Sequence, residues 1–523
     1  MTTAGAAARP ARGSRDVLTL VYAVFVAGLC SIIYELLIAT TVTYFDGDSV
    51  RAFSLTIGLY MAALGLGAYL SKFIRTNLLK ALVIAETALG LLGGFSVPIL
   101  YAAFGYTDEL FVPAWIGLTV AVGLLIGLEV PLLTRLLERY TSLRVSIAHV
   151  LSLDYGGALL ATVAFPLLLL PFLGTFRVGL VFGLINMSIG LLLLWQFPAR
   201  IGRTSTALFR MLSLAIALAI GVGLFLANDV LHAWNRSIYD GRTVYAKRTR
   251  FQQVVLTTYR GDLRLYLNGG LQFSSRDEHR YHESLVHIPL AALRARSRRP
   301  MDVLLLGGGD GLAVRELLKH ADLRSVTLVD LDPAIVRLAR NNPHMRGLNR
   351  NSLADPRVRV ITGDAFKFLK KRGRLYDVVI ADLPDPSTSA LARLYSVGFY
   401  RLVRLNLAPD GVFVTQATSP YAARKAFWSI NASVAAAFSH SRPYHAQVPS
   451  FGEWGFVLAS PRPIEIDAIS RALTDKTRFL DAPTARRAFH FEKDIRRLKV
   501  GPSTLDRPTV LRHYLDGWRH WDR

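Results

Sequence analysis

Apolar residues are distributed along this chain in two different ways. Up to position 230 they run in blocks of about twenty: 17–42, 53–70, 81–104, 112–133, 150–173, 178–197 and 211–227. Blocks of that length match the hydrocarbon thickness of a bilayer, so residues 1–230 read as an α-helical polytopic membrane domain of about seven helices. The first block is too long for the core of a signal peptide. Beyond it the blocks shorten. Segments 253–259, 263–267 and 271–273, separated by Arg260-Gly261-Asp262 and Asn268-Gly269-Gly270, read as β-hairpins of a small subdomain, 231–300. Its last part, 276–290, is a polar stretch leading into a helix. Its Asp277, Glu278, Tyr281, His282 and Glu283 read either as an exposed helix start or as the lining of a cation site.

From 301 to 460 short apolar runs alternate with helical spacing. MDVLLL, 301–306, ends in Gly307-Gly308-Gly309-Asp310-Gly311, after which Leu312, Val314, Leu317 and Leu318 recur at helical intervals. This is a buried strand, a tight turn and a helix, a pattern that brings backbone close to a nucleotide-like ligand. The next strand ends at Asp330, at the spacing where an acid reaches ribose hydroxyls; Asp332 is its rival, and one of the two is expected to cap the helix that opens at Pro333. Two more strands end in Gly363-Asp364-Ala365 and in Asp382-Leu383-Pro384-Asp385-Pro386. The fold expected is a Rossmann-like, methyltransferase-type parallel sheet, with Asp310, Asp330, Asp364, Asp382 and Asp385 converging beyond its strand ends. Residues 461–523 read as a C-terminal helical tail.

The net charge is +23. No basic-aromatic nucleic-acid motif accompanies it, and lysine and arginine at membrane borders account for it, so no nucleic-acid partner is expected. The single cysteine, Cys30, excludes intrachain disulfides and cysteine-based metal clusters. No metal-ligand spacing or nucleophilic triad stands out. Four acids, Glu35, Glu86, Glu129 and Asp154, fall within the apolar blocks, where they mark either a polar pathway or interhelical hydrogen bonds.

Six motifs in order, RDExxYHE (276–283), VLLLGGGDGxxxRELLKH (303–320), VDLD (329–332), GDA (363–365), DLPDP (382–386) and LYSxxFY (394–400), make this part resemble the spermidine synthases, the polyamine aminopropyltransferases, and the whole chain resemble their membrane-fused bacterial form. The resemblance implies decarboxylated S-adenosylmethionine as co-substrate, no prosthetic group, a small polyamine substrate such as putrescine, and spermidine and methylthioadenosine as products. It implies that Gln252, Asp330, Asp364 and Ala365 contact the nucleoside, that Tyr281, His282, Asp310 and Asp385 hold the aminopropyl group and the amine, and that Asp382 is the base. The chain departs from the family at Ala365, at Leu383-Pro384 and at Ser387-Thr388-Ser389, positions that bear on the identity of the amine.

Two rivals share these features: an S-adenosylmethionine-dependent methyltransferase, and a membrane transporter or scaffold whose synthase part is degenerate. A cell-membrane, multi-pass protein in contact with lipid is expected, with a homo-oligomer formed through the soluble part. Basic loops place the N-terminus in the cytoplasm, and seven crossings would then put the catalytic part outside. Substrates made in the cytosol require it inside, so a cytoplasmic catalytic domain and an even number of crossings are expected.

Overall fold

The computed structural model describes residues 12–519 except 47, 48, 107, 240, 298, 372 and 475. The chain divides into two compact units, Met1–Trp234 and Asn235–Arg523.

The first unit is helical. Single helices long and apolar enough to cross a membrane cover Ser14–Phe45, Ser49–Phe73, Leu110–Leu137 and Arg203–Leu231, and Leu78–Gly94 with Ser96–Gly105 form one more, bent by 45°. A further continuous stretch, Leu143–Gln196, has 54 residues. Straight, it would run roughly 80 Å, far beyond one bilayer. It is instead a hairpin, broken where Gly174 takes φ 72° and ψ 166° just after a π-helical turn at Phe165–Leu169. Its two ends meet at one residue: Asp16 accepts from Tyr140 Oη and from Gln196 Nε2, both at 2.8 Å. Counting both arms of the hairpin, the described residues form seven legs.

The two ends of this helical unit differ in charge. Asp16 marks one end, where Arg200 donates to Tyr140 Oη at 2.8 Å and Arg135 donates to the carbonyls of Ser71 and Ile74. Lys72, Arg75, Lys80, Arg139, Arg144 and Arg203 lie in the adjoining turns. The opposite end is aromatic: Phe45 stacks on Phe104 at 4.2 Å, and Tyr101 packs on Trp234 at 5.3 Å, where the chain leaves the unit.

The second unit begins with a four-stranded antiparallel meander, β1 (Arg242–Arg248), β2 (Gln253–Tyr259), β3 (Asp262–Leu267) and β4 (Gly270–Ser274). β1 had no counterpart in the sequence pattern, because its polar alternation, RTVYAKR, buries little. Val254, Leu256, Leu265 and Phe273 turn inward and pack on Leu312, Ile335, Leu338 and Met345 of the helices that follow. The helix Glu278–Arg294 comes next, and its first turn is buried. Of the two readings of this polar segment, the exposed helix start does not hold, because Glu278, Tyr281, His282 and Glu283 are buried and each acid there has an internal partner. Asp277 accepts from Ser450, and Glu283 accepts the backbone N–H groups of Arg478, Phe479 and Leu480.

The main sheet has seven strands: β5 (Met301–Gly307), β6 (Leu323–Asp330), β7 (Val358–Thr362), β8 (Tyr376–Asp382), β9 (Leu407–Gln416), β10 (His440–Val448) and β11 (Gly452–Ser460). Their order is β10-β11-β9-β8-β5-β6-β7. The five strands from β9 to β7 are parallel, and β11 and β10 add an antiparallel edge. β5 is buried along its whole length, as a central parallel strand with both faces covered should be. Past β11 the chain is mostly irregular, with short helices at Ile466–Arg471, Ala482–Ala488 and Thr509–Trp518.

The turn after β5 admits no side chain. Gly307 has φ +84°, and a Cβ there would lie 1.9 Å from the Asp382 carbonyl oxygen. Gly307→Ala should therefore cost about 3 kcal/mol, the upper range of overpacking, by driving β5 from β8. A urea melt of the full chain with unchanged midpoint would contradict this packing.

Candidate active site

Gly307 and Asp382 stand opposite each other in register on β5 and β8. To one side of this pair the chain continues through β6 and β7, to the other through β9, so the connections diverge and open a crevice beyond the strand ends.

On the β6 side, Gly309 N–H donates to Asp330 Oδ2 at 3.0 Å, a contact that a Cβ on Gly309 would obstruct. Asp330 Oδ1 accepts Asp332 N–H at 2.9 Å, and burial raises the Asp330 pKa to about 6. The choice between the two acids is resolved by the helix at Pro333–Asn341. Asp332 is its cap, accepting Ala334 N–H at 2.9 Å. The other Asp332 oxygen takes Thr249 Oγ1 at 2.7 Å and Gln252 Nε2 at 3.2 Å, so Gln252 is tied to the cap. Asp364 is a cap as well: it accepts Lys367 N–H at 2.9 Å and pairs with Arg393. Ala365 is buried as the first residue of that helix. Capping thus accounts for more of the acids than the sequence suggested.

On the β8 side, Tyr281 Oη donates to Asp382 Oδ1 at 2.6 Å. Asp310, in the glycine turn, accepts Leu312 N–H at 2.9 Å. Asp385 accepts from Gln416 Nε2 at 3.1 Å and Thr418 Oγ1 at 3.0 Å, with Tyr514 as a further hydrogen-bond partner. Tyr395 Oη, in turn, donates to the Leu383 and Pro384 carbonyls and fixes the turn between the two acids.

Burial pushes Asp310 and Asp385 up to about 6 and raises Asp382. Beside Asp310 and Asp382 stands His282, whose Nδ1 is 2.8 Å from Glu278 Oε2. Burial alone would lower its pKa, but the Glu278 hydrogen bond and charge outweigh that and raise it to about 9, so it is an imidazolium at neutral pH. Its charge opposes the upward shift of both acids.

Glu278 is itself held. Despite burial its pKa is lowered to about 2 by His282 and by Arg315, whose guanidinium meets both its oxygens at 2.8 and 2.9 Å. Arg315 also reaches Glu316, and Glu316 reaches His287 at 2.9 Å.

The structure brings Tyr281, His282, Asp310 and Asp382 together; the sequence reading had grouped Tyr281, His282 and Asp310 with Asp385 around the amine and Asp382 as the base. It missed Gln416, Thr418 and Tyr514 around Asp385, and gave no role to Arg315. Arg315 and Glu316 lay within a quoted motif, and Gln416 ends a strand of the same sheet, a position shared with the acids. Nothing marked Tyr514.

The spermine/spermidine synthase domain profile matches residues 278–467. A polyamine aminopropyltransferase of Streptomyces coelicolor is 42% identical over 520 residues, 98% of this chain and 96% of that protein. One from Leptospira interrogans is 38% identical over 96% of this chain and 99% of its own length. One from Mycobacterium tuberculosis is 39% identical over 95% and 96%. A solved spermidine synthase from Thermotoga maritima aligns with 48% of this chain and 85% of its own, at TM-score 0.44 and 24% identity. Since the relatives match both the helical and the α/β unit from end to end, the chain belongs to the polyamine aminopropyltransferase family.

Proposed function

We propose that this enzyme transfers the aminopropyl group of decarboxylated S-adenosylmethionine to putrescine, giving spermidine and methylthioadenosine. The observation that carries the reading is Asp382 at the end of β8, hydrogen-bonded by Tyr281 and flanked by Asp310 and the His282 imidazolium. Asp330 is the acid for the ribose hydroxyls, with Gln252, Asp364 and Ala365 bordering the nucleoside. Asp310 and His282 border the aminopropyl arm, and Asp385 takes the distal ammonium of the acceptor. An acid inside the glycine turn suits a donor whose arm ends in an ammonium. The carboxylated methyl donor would present a like charge to Asp310, which weighs against a methyltransferase.

The amine nitrogen attacks the methylene carbon next to the sulfonium. A C–N bond forms, the C–S bond breaks with its electron pair going to sulfur, and the nitrogen loses a proton to Asp382. An acceptor amine with a lysine-like pKa is almost wholly protonated at neutral pH, so a base at the attacking nitrogen and correct alignment supply the acceleration.

The helical unit is read as membrane-embedded because its outward residues are apolar: Phe225 is 85% exposed, Phe172 78% and Leu218 70%. Supply of donor and acceptor from the cytosol favours a catalytic unit facing the cytoplasm. A second reading, with that unit on the outer face, is favoured by one observation. Seven legs bring the chain out at the aromatic end, opposite the basic end that the positive-inside rule assigns to the cytoplasm.

Four outcomes test this reading. Asp382→Asn should reduce turnover by roughly 10²–10⁴ while calorimetry shows methylthioadenosine binding little changed; near-normal turnover would exclude Asp382 as the base. The Asp310 and Asp385 pKa values, raised to about 6, place an acid limb of kcat/KM near pH 6, below which these two amine-holding acids are protonated, and burial raises Asp382 in the same direction. His282→Gln removes a cation that holds Asp310 and Asp382 down, so that limb should move to higher pH; an unmoved or lowered limb would refute the electrostatic role. Protease added to intact spheroplasts should spare a C-terminal tag, and its digestion would establish the second topology.

A further inference from the structure

The catalytic reading leaves unused the acids of the helical unit. Glu86 and Glu129, on different helices, are 0% and 1% exposed. Asn186 Nδ2 donates to Glu86 Oε2 at 2.9 Å and to the Glu86 carbonyl at 3.0 Å. The charge of Glu86 acts directly on the Glu129 carboxyl. Glu86 Oε1 and Glu129 Oε1 have no hydrogen-bond partner. Asp154, on the ascending arm of the hairpin, adds a third negative group near Glu129. Among the described residues no lysine or arginine pairs with any of the three.

This arrangement is unbalanced. Two buried carboxyls this near each other share one proton, and both ionise only when a cation stands beside them. Acids at this depth without a basic partner are expensive to keep and mark a functional site by default. A cation bound there must also donate hydrogen bonds, because the two free Oε1 atoms are acceptors. A hard metal ion needs six or so oxygen ligands, and the surrounding helix carbonyls are committed to their own helices. A primary ammonium needs fewer: it carries one charge and three N–H donors, enough for both carboxylates and a neighbouring oxygen.

We propose that Glu86 and Glu129 form a second amine site, in the helical unit, that binds the protonated end of a linear polyamine of the kind the catalytic unit handles. The choice of amine rests on the proposed reaction; the need for an ammonium rests on the helical unit alone. Binding is an exchange. RNH3+ enters, the carboxyl proton leaves, and the pair becomes two carboxylates bridged by the ammonium, with charge conserved. Asn186 keeps Glu86 oriented in both states.

The test uses the full chain in detergent micelles, titrated with spermidine by calorimetry in two buffers of different ionisation enthalpy. The parent should bind two amines per chain, one of them with release of about one proton. Glu86→Gln and Glu129→Gln should each lose that proton-linked amine while aminopropyl transfer stays at the parent rate. Glu129→Asp, which keeps the carboxyl, should retain two amines and so separates loss of charge from misfolding. A parent that binds one amine, or glutamine variants that still bind two with the same proton release, would overturn the site. Release of the same proton by sodium chloride alone, with no second amine bound, would overturn the ammonium assignment. Because transfer is measured separately, its absence in the parent would count against the proposed reaction and leave the helical site standing or falling on its own titration.

Discussion

Placing carboxylates where water is scarce is the constraint on which the catalytic unit depends. Beyond β5 and β8, the proposed reaction needs Asp310 and Asp382 ionised, while burial drives both toward the neutral form. The counterweight is one imidazolium. His282 carries its charge because Glu278 demands it, and Glu278 stays ionised because Arg315 grips both its oxygens. These residues come from the helix before β5 and the helix after it, so packing of Glu278–Arg294 against the glycine-turn helix has an electrostatic purpose as well as an apolar one. Truncating any member would leave the next one buried and unpaired, which is why such a chain has to be complete to be useful.

The reach of sequence reasoning followed the range of the physics. The glycine turn, the acids at strand ends and the order of β5 to β8 were legible because each is a local pattern: glycines where φ is positive or backbone crowds, acids one step past an apolar run. β10 and β11 were not legible, since HSRPYHAQV and its partner buries only one end of each strand well and shows no regular alternation. The division of labour among the acids was hidden for a different reason. Asp332 and Asp364 follow the same strand-end rule as Asp330 and Asp382, and only the position of the next helix start decides which acid caps and which faces the crevice. Tyr514 reaches Asp385 from more than a hundred residues away, a contact that no local pattern encodes.

The two units treat the same difficulty in opposite ways. In the catalytic unit buried glutamates have neighbours of opposite charge or a set of N–H donors: Glu278 has Arg315 and His282, Glu283 has three backbone amides, Glu316 has Arg315 and Lys319. In the helical unit the Glu86 carboxyl has one amide donor, and Glu129 Oε1 has none. A basic side chain at Asn186 would have neutralised the pair permanently, and an apolar residue at either glutamate would have removed its cost. The amide does neither, orienting one carboxyl without supplying charge. With both Oε1 atoms unpartnered, the chemistry that would balance this pair is that of a mobile cation with hydrogen-bond donors, as proposed for the second amine site.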